Sequence, residues 1–176
     1  MSDNPNAPTS DADEHPVQPE RPWEAPEPGR LVSRGHAAGD VLEAYEWSVQ
    51  RREAGLLVVE AHLPDALRNP QGQLFGGFTP AYVDFVSLHT VHTTEPDHDD
   101  EQPRNWLTTI NMRCDYFEPI MGPSFTVTGE VVNQRGLTTT VSTKFHHDDL
   151  LCAYGLTTLR TIPAVKVQAQ SGTIVG

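Results

Sequence analysis

One continuous helical stretch, set among segments that alternate with period two, constrains this chain more than any other feature. It begins at Asn69-Pro-Gln-Gly-Gln-Leu-Phe-Gly-Gly-Phe-Thr-Pro-Ala-Tyr-Val-Asp84 and runs on to about His92. A glycine-rich turn feeds it. Phe78, Tyr82, Phe85, His89 and His92 recur at helical spacing, and Ala81, Asp84, Leu88 and Val91 form a neighbouring stripe. With two largely apolar stripes the helix is expected to be buried nearly all round. Asp84 is the exception, a carboxylate among apolar neighbours. Such a group must be paired or hydrogen-bonded. It either bonds a nearby backbone or hydroxyl group, or it belongs to an active site, where buried carboxylates concentrate.

The segments around the helix read as strands. Tyr45, Trp47 and Val49 alternate with polar neighbours, Ala54-Gly55 turns the chain, and Leu57, Val59, Ala61 and Leu63 alternate again. Pro64 stops that strand, and Asp65 to Arg68 can form one helical turn at most. A short helix is expected near Asp40 to Leu42. Beyond an acidic loop at 95–105, residues 106–117 alternate with Trp106, Ile110, Met112, Cys114 and Tyr116 on one face. Phe125, Val127 and Val131 alternate in the next strand, then Leu137, Thr139, Val141, Thr143 and Phe145 after the Arg135-Gly136 turn. A last strand runs from about Leu151 to Ile162. Two strands, a helix and four strands joined mainly by hairpins predict an α+β domain with one long central helix against a mostly antiparallel sheet of about six strands. A single sheet with a single helix leaves much surface uncovered, so self-association is expected.

Residues 1–29 hold seven prolines and seven acids, too few apolar groups to offset chain entropy, and are expected to be a disordered tail in which Trp23 is loose. Residues 30–163 form the domain and 164–176 a C-terminal tail. Acids number 24 against 12 basic residues, a net charge of −12. That balance speaks against nucleic acid or an anionic membrane surface as partner. The longest aliphatic run, Leu56 to Val59, falls far short of a membrane span, and no signal-peptide pattern opens the chain. Cys114 and Cys152 read as reduced core residues of a cytoplasmic protein. His89, His92 and His98, and the run His146-His147-Asp148-Asp149, show no rigid ligand spacing, so no metal site is expected.

Over about residues 42–162 this order of elements, with its glycine turn, resembles the hotdog-fold acyl-CoA thioesterases of the phenylacetate-pathway type, in the 4-hydroxybenzoyl-CoA thioesterase superfamily. In that type an asparagine precedes a His-Gly-Gly turn by six residues and an aspartate follows the turn's first residue by nine. Asn69, Phe75-Gly76-Gly77 and Asp84 hold those places. The family carries a Ser or Thr some seven residues before a Tyr-x-x-Pro element. Tyr116-Phe-Glu-Pro119 fixes the register and puts Thr109 there. Phe75 stands where the family usually has histidine.

The resemblance implies hydrolysis of an acyl-CoA thioester without metal or cofactor, in a homodimer or homotetramer whose active sites lie at the subunit interface, with Thr109 facing Asp84 of the partner chain. Backbone N–H groups at a helix start carry the positive end of its dipole, and glycines let a carbonyl approach them. The Gly76 N–H, helped by that of Gly77, is therefore assigned as the oxyanion donor, and Pro80 fits the first turn, where its missing N–H is no loss. Asp84 would act as general base or nucleophile, and Thr109 would position the water. Asn69 would orient the carbonyl or the turn itself. Phe75 and Phe78 would line the acyl pocket. Arg135 would meet the coenzyme A phosphates, with Arg104 and Arg113 as alternatives. Two other functions fit the same fold: a non-catalytic acyl-CoA-binding or regulatory domain, and an enoyl-CoA hydratase. The last usually shows an Asp-x-Asn-Pro-x-His element, whereas Asn69-Pro70 is followed here by Gln71-Gly72.

Overall fold

The computed structural model describes residues 26–95 and 105–163; Trp23, His98, Arg104, the tails expected at 1–29 (but for residues 26–29) and 164–176, and most of the acidic loop lie outside them. Helix α1 (Ala37–Val41) and a 3-10 turn (Ala44–Glu46) lead into β1 (Ser48–Glu53) and β2 (Leu56–His62). After a 3-10 turn at Asp65–Leu67 the glycine stretch forms another at Gly76–Phe78, continuous with α2 (Thr79–His92). Then come β3 (Trp106–Tyr116), β4 (Ser124–Arg135), β5 (Thr138–His147) and β6 (Leu150–Ile162). One antiparallel six-stranded sheet has the order β1-β2-β4-β5-β6-β3, so β1 and β3 are its edges. Helix α2 packs against β2 to β6, the hotdog arrangement.

The alternation seen in the sequence makes the core. Leu57, Val59, Ala61, Val127, Val141, Phe145, Ala153 and Leu159 point inward and meet Tyr82, Val83, Phe85, Val86 and Val91 of α2. Burying one large apolar side chain in this way stabilises by about 1.5–3 kcal/mol. Trp47 stacks on Tyr82 at 5.2 Å between ring centroids, and Phe125 lies 5.3 Å from the same ring. Their polar atoms are satisfied, with Trp47 Nε1 donating to the Leu42 carbonyl (3.2 Å) and the Tyr82 hydroxyl to the His62 carbonyl (3.0 Å). Glycine on the sheet sets how closely the helix sits. A Cβ at Gly129 would lie 2.1 Å from Thr90 Oγ1, and one at Gly155 2.6 Å from Val83 Cγ1.

Three expectations are corrected. Tyr45 is not in the first strand. Glu43 adopts a left-handed conformation (φ 52°) and starts the Ala44–Glu46 turn, so the strand begins at Ser48, while the Tyr45 ring is covered by the Arg34 guanidinium at 3.8 Å. Nor is α2 buried all round. The sheet covers one side and the segment around His36, Gly39 and Trp47 covers another, through Phe85. The stripe of Ala81, Asp84 and Leu88 stays open: Ala81 is exposed, Asp84 and Leu88 half-buried.

The third correction concerns β3. Its pairing with β6 runs Thr109 to Leu159 and then Asn111 to Thr158, so Ile110 is an extra, unpaired residue. Such a bulge reverses the facing of everything after it. Before it, Leu107 is buried and Thr109 reaches the helix. After it, Met112 and Cys114 pack on the core and Tyr116 reaches the glycine turn. Trp106 and Ile110 do not share that face; both are more than half exposed.

Candidate active site

The glycine turn is held from several sides. Arg68 pairs with Leu74 in an isolated bridge, the Phe75 N–H donates to the Leu67 carbonyl (2.9 Å) and the Leu74 N–H to the Ile120 carbonyl (2.9 Å). The carbonyls of Phe75 and Gly76 face along the helix, accepting from the N–H groups of Phe78 (2.8 Å) and Thr79. The Gly76 and Gly77 N–H groups donate to no acceptor among the described residues, and both glycines are exposed. They form the open positive end of the 3-10 turn and α2. Pro80 stands in the first turn of α2.

Asp84 lies two turns further along. Its carboxylate accepts the Thr109 hydroxyl of the same chain. This corrects the expectation that Thr109 meets the partner's Asp84: Thr109 precedes the bulge, shares the inward face of Leu107, and reaches Asp84 of its own chain. Along the helix axis Gly77 and Asp84 are separated by about 10 Å.

Asn69 is taken up by its own turn. Its Oδ1 accepts from the N–H groups of Gln71 (2.9 Å) and Gln73 (3.0 Å), and its Nδ2 donates to Gln73 Oε1 (3.1 Å). Of the two roles read for it, the geometry displays the turn-forming one. Phe75 is 54% exposed and lies over Gly77, where an added Cβ would come 2.8 Å from its ring. Phe78 is half-buried, its ring 6.0 Å from that of Phe75. Arg135 is exposed at the end of β4 with no ion-pair partner among the described residues, whereas Arg113 is paired with Asp115 at 3.0 Å. The two cysteines are free.

Some of what the fold assembles has no signal in sequence spacing. Glu43, Glu46 and His62 bring one ligand-type atom each within 4.8 Å of one another, but they come from a left-handed turn and a strand that meet only in the fold. A cleft of about 220 Å³ opens beside Gly76, lined among others by Leu74, Thr79, Tyr116, Phe117, Glu118 and Ile120. Neither Phe75 nor Phe78 lines it.

The thioesterase superfamily's family model matches residues 71–153, a span that contains the glycine turn, α2, Thr109 and Tyr116. The domain has the hotdog fold, and its central stretch is similar to the thioesterase superfamily. The same fold recurs in solved structures. A phenylacetic acid degradation-related protein of Ralstonia eutropha JMP134 superposes with a TM-score of 0.59 at 22% identity, covering 72% of this chain and 94% of that one. The PaaI protein of the E. coli phenylacetic acid degradation operon gives 0.60 at 14% identity, covering 73% and 86%. A hypothetical thioesterase protein of Streptococcus pneumoniae TIGR4, solved with coenzyme A, gives 0.56 at 17% identity, covering 66% and 88%. At these identities the likeness speaks for the fold. No curated protein matches the chain. Among the described residues no helix is long and apolar enough to cross a membrane.

Proposed function

We propose that this hotdog domain hydrolyses an acyl-CoA thioester to free acid and coenzyme A. One observation carries the reading: unengaged N–H groups of Gly76 and Gly77 at a helix start, together with an Asp84–Thr109 pair on the open stripe of the same helix. The carbonyl oxygen sits on the glycine N–H groups, where one such donor contributes on the order of 3 kcal/mol to the transition state. Asp84 acts as general base on a water, or attacks the carbonyl itself, and Thr109 holds it in place. Phe75 and Phe78 cover the acyl group, and Arg135 meets the phosphates of coenzyme A, the ligand held by the Streptococcus pneumoniae protein.

Each active site takes parts from two copies of the chain. The carbonyl carbon must lie roughly 3 Å from the attacking group and from the donors alike, while Gly77 and Asp84 of one chain are about 10 Å apart along the helix. The glycine turn of one copy therefore works with the Asp84–Thr109 pair of another. The free edge of β3, with Trp106, Ile110, Tyr116 and Phe117 each more than half exposed, supports association as a homodimer or homotetramer. Free cysteines suit a cytoplasmic enzyme.

The test is thiol release from a panel of acyl-CoAs, followed with a thiol dye. Turnover of at least one member is expected. Tight binding of acyl-CoA with no release by any member establishes instead the ligand-binding reading, which the Phe75 ring over Gly77 favours. Hydration of crotonyl-CoA would point to the hydratase.

A further inference from the structure

The glycine turn has a support that its own segment does not supply. The Tyr116 hydroxyl, forty residues away on β3, donates to the Gly76 carbonyl at 3.0 Å. That carbonyl already accepts the Thr79 N–H, so two donors hold it from different elements. The Tyr116 ring also lies against Gly76, where an added Cβ would stand 3.6 Å from it. All peptide bonds among the described residues are trans. In a trans peptide unit the C=O of one residue and the N–H of the next are rigidly fixed in one plane and point in opposite directions. Whatever holds the Gly76 carbonyl therefore aims the Gly77 N–H. The Gly76 N–H belongs to the preceding unit, whose carbonyl accepts, among the described residues, from the Phe78 N–H alone.

We infer that Tyr116 is a positioning residue for the oxyanion site: by anchoring the Gly76 carbonyl it fixes the peptide plane whose other end is the Gly77 N–H. The inference rests on the thioesterase reading and names a residue beyond those that reading uses. Preorganisation of this kind matters because a donor must already point at the place where negative charge develops. A lone helix-start N–H is otherwise the softest part of its turn, since it has no intrahelical partner. Burial pushes the phenol above its ordinary pKa, so the group keeps its proton and remains a donor throughout the neutral range.

Tyr116→Phe tests this, because it keeps the ring against Gly76 and removes only the hydroxyl. The expected result is a kcat lower by about three- to tenfold, the scale of one neutral hydrogen bond, with KM and Tm unchanged and the Gly77 amide resonance displaced in the ¹H–¹⁵N spectrum. An unchanged kcat overturns the inference. So does a raised KM with kcat intact, which would mean that Tyr116 touches substrate. A kcat loss that follows a fall in Tm while the Gly77 amide stays in place also overturns it. A wild type that hydrolyses no acyl-CoA overturns the thioesterase reading instead. The Gly77 amide then still reports whether Tyr116 sets the peptide plane.

Discussion

Complementation between two disabled chains decides whether the glycine donors and Asp84 act within one subunit or across two. Asp84→Asn keeps the side-chain shape and removes the base, so kcat should fall by about a hundredfold or more. Gly77→Pro removes the Gly77 N–H in a first-turn position where proline's backbone is tolerated. The loss of one oxyanion donor should lower kcat by about 10²–10³-fold, and the displaced Phe75 ring is exposed and free to move. Each variant alone then retains about one per cent of wild-type turnover or less. Coexpressed in equal amounts with different tags, the chains assort at random and about half the pairs are mixed. In a mixed pair one site combines the intact turn of the Asp84→Asn chain with the intact Asp84 of the other, and the second site combines both lesions. Half of the pairs with one live site of two gives about a quarter of wild-type turnover. The figure is the same for a dimer and for a tetramer built from such pairs. Isolation through both tags confirms that mixed oligomers exist, and thiol release measures them. If doubly tagged oligomer stays at the level of the single variants, the donors and Asp84 work within one chain and the shared-site geometry is refuted.

Thr109→Ala should lower kcat about three- to tenfold, as for one hydrogen bond to the base, and should add nothing in the Asp84→Asn background; equal losses in both backgrounds would separate Thr109 from Asp84. Arg135→Gln should raise KM for acyl-CoA about two- to fivefold, the scale of an exposed ion pair, and leave KM for the matching pantetheine ester unchanged; an equal rise for both esters removes Arg135 from the phosphates. Phe75→His should be tolerated, with kcat equal or higher, while Phe75→Ala should alter the preference among acyl groups; wild-type behaviour of both variants on every acyl-CoA tested places position 75 outside the site.

Much of this was legible in the chain because period-two alternation and burial are the same fact seen twice. Leu57, Val59 and Ala61, or Val141, Thr143 and Phe145, alternate in sequence and are fully buried or nearly so in the fold. The glycine turn and Asp84 were legible because a carboxylate in an apolar helical stripe needs a reason. What stayed hidden depends on contacts between distant segments. The open stripe of α2 follows from which sides the sheet and the segment around His36 happen to cover. The local role of Asn69 depends on Gln73 folding back onto it, with two backbone N–H groups meeting one side-chain oxygen. The Glu43, Glu46 and His62 group exists only because a left-handed turn lies beside the end of β2.

The bulge at Ile110 shows how one unpaired residue ties these levels together. Thr109 and Tyr116 are seven positions apart on β3. In a regular strand, residues separated by an odd number point to opposite faces. Only one of the two could then meet the helix, either the hydroxyl that supports Asp84 or the one that supports Gly76. The extra residue between Thr109 and Asn111 absorbs the odd count, so both hydroxyls face α2. The register pairs that follow the bulge run without a further shift to Tyr116 and Ala153, so the reversal is kept as far as the glycine turn. β3 is an edge strand of the sheet, where bulges are over-represented and interrupt only one partner's ladder. The candidate site therefore depends on a strand irregularity as much as on its polar residues. Their spacing of seven makes sense only once that irregularity is in place.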